Sequence, residues 1–561
     1  MNAIRPSLSA GPDRLRPIQE GRSLLRWTCT VLFVLFSAAA QAAVGPATPH
    51  AQLFYESTDY PLHGPTNGQE FSGNAVAAGD FDGDGVDDLA IGIHYDDQPI
   101  FALSEVGQVQ IRWGAAGSGL PNGFVVKYLW QGGTSSVDDP ESGDFFGGAL
   151  AVGDFDHDGF ADLAVGIPGE DLGAISNAGA VEIRYGAANR DQALETRRKL
   201  LHEDIAGVPD QAGTDDRFGE VLATGDLDGD GFDELLVGVP SESVGGNGDA
   251  GRLFVFYGSN VGIVVDGAQT FDEDTTGINS DSFGNDHFAR TVVAGDWNGS
   301  GFDDLAIGVD HWGAVARSGG VHIIYSNASG PNAVSDVLLT QDTTGIADQQ
   351  EEFDWFGSTL GTGDFNGDGF DDVVIGVSYE DLGPEGGEVQ NAGAVHVLYG
   401  NSSVLLAHTP QYWTKSSTGV PGDPAEDERF GSAFVAADFD GDGFDDLAIG
   451  VLGERVSLLT GAGAVTILRG SANDLTATYA TSWNLERPGV PGEAEQNDLF
   501  GAFLGAGDFN GDGHADLVVA VPLDEVAPFP DNSGSALVLY GCLYCDGFES
   551  SDLSEWTPAA P

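Results

Sequence analysis

The apolar positions along this chain fall into short runs and never settle into a helical period. Leu163-Ala164-Val165-Gly166-Ile167 is a continuous apolar run, the pattern of a strand buried on both faces. Ala180-Val181-Glu182-Ile183-Arg184-Tyr185-Gly186 alternates with period two, the pattern of a strand with two unlike faces. A run of small and apolar residues, Phe146-Gly147-Gly148-Ala149-Leu150-Ala151-Val152, comes before them, and Lys199-Leu200-Leu201-His202 comes after. Four short strands joined by glycine-rich turns make one unit.

Between the first and second strands of each unit lies an acidic loop. Gly79-Asp80-Phe81-Asp82-Gly83-Asp84-Gly85-Val86-Asp87-Asp88-Leu89 is the first of seven. The opening aspartates are Asp80, Asp154, Asp226, Asp296, Asp364, Asp438 and Asp508, spaced by 68 to 74 residues. Seven units of four strands predict an all-β fold, a seven-bladed β-propeller of four-stranded antiparallel blades over residues 43–541. The last unit ends at Leu537-Val538-Leu539-Tyr540-Gly541 without a fourth strand, while Gln52-Leu53-Phe54-Tyr55-Glu56 is a strand without a blade. Pairing of that N-terminal strand with Leu537–Tyr540 is expected to close the ring, which leaves no open sheet edge at the seam.

The loops carry oxygen ligands at positions 1, 3, 5 and 9, with a backbone carbonyl expected at 7 and glycine at 6 in all seven. Hard oxygen donors without thiolate or imidazole side chains point to calcium, up to seven ions. The expected sets are Asp80, Asp82, Asp84, Val86 and Asp88 in blade one, and Asp154, Asp156, Asp158, Phe160 and Asp162 in blade two. Blade three offers Asp226, Asp228, Asp230, Phe232 and Glu234; blade four offers Asp296, Asn298, Ser300, Phe302 and Asp304. Blade five offers Asp364, Asn366, Asp368, Phe370 and Asp372; blade six offers Asp438, Asp440, Asp442, Phe444 and Asp446. Blade seven offers Asp508, Asn510, Asp512, His514 and Asp516. Val86, the five phenylalanines and His514 enter through their carbonyls. Blade four has only two carboxylates and is expected to bind weakest.

Composition narrows the function. Eighty-eight acidic residues against 21 basic ones give a formal net charge of −67 over 561 residues. That charge argues against nucleic acid and anionic membrane as partners. Arg5, Arg14, Arg16, Arg22 and Arg26, the apolar run Trp27–Ala40 and the small-x-small Ala40-Gln41-Ala42 predict a cleaved export signal over 1–42, and no later stretch reads as a membrane helix. Residues 542–561 read as a short flexible tail, whose Cys542 and Cys545 suit a local disulfide or a bond to a partner chain. Arg197-Arg198-Lys199, the one basic cluster of the mature chain, is expected on a solvated outer strand.

Phenylalanine-glycine precedes the opening aspartate in five units: Phe146-Gly147, Phe218-Gly219, Phe356-Gly357, Phe430-Gly431 and Phe500-Gly501. The third strand begins Gly179-Ala180-Val181, Gly393-Ala394-Val395 or Gly463-Ala464-Val465. This resembles the FG-GAP repeat of integrin α head domains and of many bacterial surface proteins. The first unit departs with Ser72-Gly73 and the fourth with Phe288-Ala289, which bears on local packing. The resemblance implies a secreted or cell-surface module for protein binding or adhesion. It places the partner, a protein or glycan, on the face opposite the calcium loops, where the long 2–3 and 4–1 connections carry Trp312, Trp355 and Tyr379. A lectin-like propeller for polysaccharide is the alternative, and a polysaccharide lyase a weaker one. Repeated aromatic platforms at equivalent positions, which a lectin needs, are not legible. No zinc-protease or nucleophile-elbow motif occurs, so a non-enzymatic role is expected.

Overall fold

A computed structural model describes residues 51–54, 75–97, 103–120, 126–132, 139–312, 317–383, 388–403, 405–525 and 534–541. The expected export signal and the C-terminal tail with its two cysteines lie outside these residues. Within them the chain forms seven four-stranded antiparallel sheets, plus a two-stranded ribbon of Ser326–Asn327 and Gly330–Pro331. The fold is the seven-bladed β-propeller that the repeat predicts.

Blade one shows the plan: strands Ala75–Gly79, Asp88–Ile93, Gln108–Arg112 and Val126–Leu129, each paired with the next. The apolar six-residue second strands are buried along their whole length in all seven blades. The first strands, rich in alanine and glycine, adjoin the first strands of both neighbouring blades in a complete cycle. Small residues are required where strands crowd this closely: a Cβ on Gly79 would fall 2.7 Å from Val152 of the next blade. In blade seven the fourth strand is Ala51–Phe54, antiparallel to Ser535–Leu539 with Leu53 opposite Leu537. Tyr55 and Glu56 lie outside the described residues.

A blade's two faces are apolar, and only its neighbours can cover them. Seven buried clusters result, one between each pair of adjacent blades. The seventh joins Phe54, Phe509 and Val538 of blade seven to Leu89 and Ile91 of blade one.

The phenylalanine-glycine pair is a latch between blades. Phe146, Phe218, Phe288, Phe356, Phe430 and Phe500 are buried and donate their N–H to the preceding blade at 2.8–3.0 Å. The glycine that follows lies flat on the preceding blade's third strand. Gly219 has φ 92°, and a Cβ there would stand 2.5 Å from the Ala180 carbonyl oxygen. Blade four places Ala289 at φ 64°, and its first strand is bulged between Phe288 and Thr291. Blade six, with a regular Phe430-Gly431 pair, shows a similar register shift, and in blade four the alanine simply takes the left-handed conformation that glycine adopts elsewhere.

Gly219→Ala should therefore cost both the left-handed conformation and a clash, about 3 kcal/mol together. Gly246 has φ 95° with nothing within 4 Å of an added Cβ, so Gly246→Ala should cost only about 1–2 kcal/mol. Denaturant titration in millimolar calcium measures both; equal losses would show that close approach is not what the latch glycine serves.

Candidate functional site

Each acidic loop is the turn between the first and second strands of its blade, so all seven share one face. In blade one the Asp80 carboxylate accepts N–H bonds from Gly83 at 2.7 Å, Asp84 at 3.0 Å and Gly85 at 2.8 Å. Asp364 and Asp438 do the same in their loops. Asp84 accepts from Val86, and Asp368 from Phe370, both at 3.1 Å. Each loop is thus wound around its own carboxylates. Gly85, Gly159, Gly231, Gly301, Gly369, Gly443 and Gly513 have φ between 78° and 91°. A Cβ on Gly85 would meet nothing, so glycine is needed there for its backbone freedom and not for space.

The position-9 acids open the second strands and are fully buried. Asp88 accepts N–H bonds from Phe81 at 3.1 Å and from Gly114 at 2.8 Å. Asp372 is held alike by Phe365 and Gly400, and Glu234 by Leu227 and Gly258. Burial pushes Asp88, Asp162, Glu234, Asp372, Asp446 and Asp516 up to about 8, and Asp304 to about 7. The shift is the cost of burying a negative charge, and a cation beside these acids would reverse it.

Positions 1, 3 and 9 converge in Asp80, Asp82 and Asp88, and in Asp154, Asp156 and Asp162, with ligand oxygens within 4.8 Å of one another. In blade three the grouping is Asp226, Asp228 and Asp230. Asp156 Oδ1 and Asp446 Oδ2 are buried and meet no hydrogen-bond donor. Such oxygen-only clusters could hold a divalent metal ion. In blades four and seven position 3 is an asparagine that already serves the position-9 acid: Asn298 donates to Asp304 at 2.6 Å and Asn510 to Asp516 at 3.3 Å. The position-7 side chains lie over neighbouring loops. The Phe160 ring covers Gly83, Phe302 covers Gly229, and His514 covers Gly441.

Two features escaped the sequence. The first is position 8. Its N–H donates to the position-1 carbonyl of the preceding loop in all seven blades, from Asp87 to Asp508 and from Ala515 to Asp438. Five of these residues are aspartates whose side chains accept the position-1 N–H in return, as Asp303 does from Asp226 at 2.9 Å. The seven loops are one hydrogen-bonded ring. The second is arginine. Arg190 of blade two binds Asp82 and Asp84 of blade one, Arg197 binds Asp156, and Arg469 binds Asp440 at 3.0 Å. The basic cluster does lie on an outer strand, with 41% of the Arg197 side chain exposed, but its cations are bound and not merely solvated. Arg197 is bound to its loop, Arg198 pairs with Glu182 at 3.2 Å in a buried site, and Lys199 Nζ donates to the Ile263 carbonyl. In this acidic ring, three arginines are drawn to loop carboxylates.

The opposite face has its own repeated geometry. The residue before each latch phenylalanine is left-handed in all six described latches: Phe145, Arg217, His287, Trp355, Arg429 and Leu499, with φ of 57–61°. Each donates its N–H to the preceding blade at 3.0–3.2 Å, beside the phenylalanine's own bond. Their side chains are at least partly exposed. His287 meets His311 with tilted rings at 4.3 Å, and Trp355 meets His311 at 5.6 Å and Tyr379 at 4.4 Å. Arg429 lies 4.7 Å over the Tyr379 ring. Phe145 packs with His94 and Tyr95 in blades one and two. Three of these six equivalent positions carry aromatic rings, Phe145, His287 and Trp355.

No helix among the described residues is long and apolar enough to cross a membrane. A family model described as the FG-GAP repeat matches residues 72–111, 146–181, 218–256, 356–398, 430–468 and 500–539. The blade with Phe288-Ala289 falls between the third and fourth matches. Integrin alpha pat-2 of Caenorhabditis briggsae is 30% identical over 248 residues, 43% of this chain and 18% of that protein. Integrin alpha-7 of Mus musculus is 34% identical over 170 residues, 29% of this chain and 12% of that protein. Phosphatidylinositol-glycan-specific phospholipase D of Bos taurus is 29% identical over 190 residues, 33% of this chain and 21% of that protein. The matched region is thus about a fifth or less of each relative's length. An exotype rhamnogalacturonan lyase aligns over 84% of this chain and 72% of its own at 13% identity, with a TM-score of 0.38. Six matched repeats, the latch that their phenylalanine-glycine pairs build and the seven-bladed ring make this chain an FG-GAP repeat protein with an integrin-α-like β-propeller.

Proposed function

We propose that this chain is a secreted or cell-surface propeller that binds a protein on the face opposite its acidic loops, with calcium in the loops stabilising the ring. The loop reading is supported by the convergent carboxylates and by the orphaned buried oxygens of Asp156 and Asp446. The expected ligands are those of positions 1, 3, 5, 7 and 9. Calcium supplies counter-charge to buried acids and has no part in chemistry. The acid groups belong to loops and blade junctions, which supports a binding module over an enzyme. Export through residues 1–42 is supported by the charged, apolar and small-residue order of that segment.

The observation that carries the binding face is the row of left-handed residues before the latch phenylalanines. Left-handed backbone in non-glycine residues costs about 1–3 kcal/mol each and persists where the surroundings impose it, often at ligand sites. Here one fixed backbone presents side chains of five types at six positions, and Trp355, Tyr379, His311 and Arg429 join into a continuous aromatic and cationic ridge. Flat aromatics with an arginine suit a protein surface.

Calcium loops of extracellular modules bind at about 10⁻⁴–10⁻³ M, so at ten times Kd each loop adds about 1.4 kcal/mol of stability. The melting temperature should fall markedly when millimolar calcium is replaced by chelator; no change would remove calcium from the account. Asp368→Asn keeps the acceptor for Phe370 but drops a ligand charge, so it should weaken calcium binding without lowering stability in chelator. Ser300→Asp should strengthen the fourth loop. Isothermal titration reads both. For the ligand face, the Trp355→Ala, Tyr379→Ala double variant should keep its calcium-loaded melting temperature and lose capture of a protease-sensitive partner from cell-surface extract. Capture that persists in the variant, or binding seen only on a glycan array, refutes a protein ligand at this ridge.

A further inference from the structure

A second set of acids repeats on the ligand side of the ring, and the loops do not use it. Three equivalent positions recur at four of the junctions. One is two residues past a fourth strand, one directly precedes the left-handed residue, and one lies in the next blade's 2–3 connection. Where blades one and two meet, Gln131 donates its amide to Glu170 at 2.5 Å. Where blades four and five meet, Gln341 donates to Glu380 at 2.6 Å. Where blades five and six meet, the same position is Lys415, whose buried ammonium sits between Glu428, at 3.1 Å, and Glu454.

Between blades two and three that position is Glu203, and it faces Asp216 and Glu242. All three are buried, with 1%, 5% and 5% exposure. Their ligand oxygens lie within 4.8 Å of one another. Gly213 donates its N–H to Asp216. Both oxygens of Glu203, and Oε2 of Glu242, are buried and meet no donor. The guanidinium of Arg252 stands near enough to favour the charged form of Glu203, but its ion pairs go to Asp272, at 2.8 Å, and to Asp210. Three carboxylates buried together cannot all be charged unless a positive charge sits among them. The chain's own solution to the same geometry three blades further on is the Lys415 ammonium.

We propose that Glu203, Asp216 and Glu242 hold a divalent, oxygen-seeking cation of the calcium class at this junction, a site separate from the seven loops. The dimensions fit. Calcium–oxygen distances are about 2.3–2.6 Å, so two ligands of one ion stand at most about 5 Å apart. Three carboxylates and no nitrogen or sulfur donor select a hard ion. Near-complete burial leaves little room for a partner's lysine, so a metal ion suits the cluster better than a side chain from outside. The ion would tie the fourth strand of blade two to the 2–3 connection of blade three, beside the left-handed Arg217 of the ligand face.

The test is anomalous diffraction from crystals of the full chain soaked in millimolar manganese(II), with two variants. Wild type should show a peak within coordination distance of all three carboxylates. Glu203→Gln should lose that peak and keep those of any loops that bind. Glu203→Lys, which copies the sister junction, should lose the peak and melt higher than wild type in chelator. Absence of a peak at the cluster in wild type overturns the proposal and leaves a metal-free, protonated cluster. A peak that survives in Glu203→Gln overturns it too. Peaks at the cluster but at none of the loops would uphold this site while refuting the loop reading.

Discussion

No blade of this protein can cover its own apolar faces, and the whole design follows from that. Each cluster of buried side chains is shared between two blades, and the seventh joins the last blade to the first. Hydrophobic burial is non-directional and cannot set the angle between sheets. Two rows of hydrogen bonds do so, one at each face. On the loop face the position-8 residues bond to the position-1 residues of the blade before. On the other face each phenylalanine and the residue ahead of it bond to the preceding 2–3 connection. Seven such bonds on the loop face, and six latches among the described residues on the other, hold adjacent blades at a repeated angle, and a repeated angle is what lets a ring close.

The same arrangement gathers acids in buried places, and the structure shows several ways of settling their charge. Backbone N–H groups hold the position-9 carboxylates. Arginine reaches into the loops of blades one, two and six. Asparagine serves in blades four and seven, and lysine or glutamine at the junctions. These solutions differ while the backbone stays constant. Blade four departs most, with Asn298 and Ser300 in its loop and Ala289 in its latch, yet its second and third strands are as buried as the others. Blade geometry therefore does not depend on any one way of neutralising the loop.

The fold was legible because strand period, turn glycine and repeat length all point to one architecture. The loop residues were legible because their spacing is short and local. What stayed hidden is what only a neighbouring blade explains. Asp87 and Asp88 are adjacent and chemically alike, yet one braces blade seven and the other turns inward. Arg197 and Arg198 look like a surface pair until the approach of Asp156 and Glu182 is known. Glu203, Asp216 and Glu242 are spread over 40 residues, and no short-range spacing joins them. The residue ahead of each latch phenylalanine varies so widely in type that no chemical pattern marks it. Its φ does.

The contrast between the two faces also explains where specificity can evolve. On the loop face the bonds between blades run through aspartate side chains as well as backbone, so a substitution there weakens the clamp itself. On the opposite face the clamp runs through backbone N–H groups alone at the left-handed residue. Its side chain carries none of that bond. Phenylalanine, arginine, histidine, tryptophan and leucine all occupy the position at nearly the same φ. A surface built this way can change its chemistry blade by blade without altering the angle that closes the ring. A rigid scaffold with a freely variable rim is the physical condition for recognition.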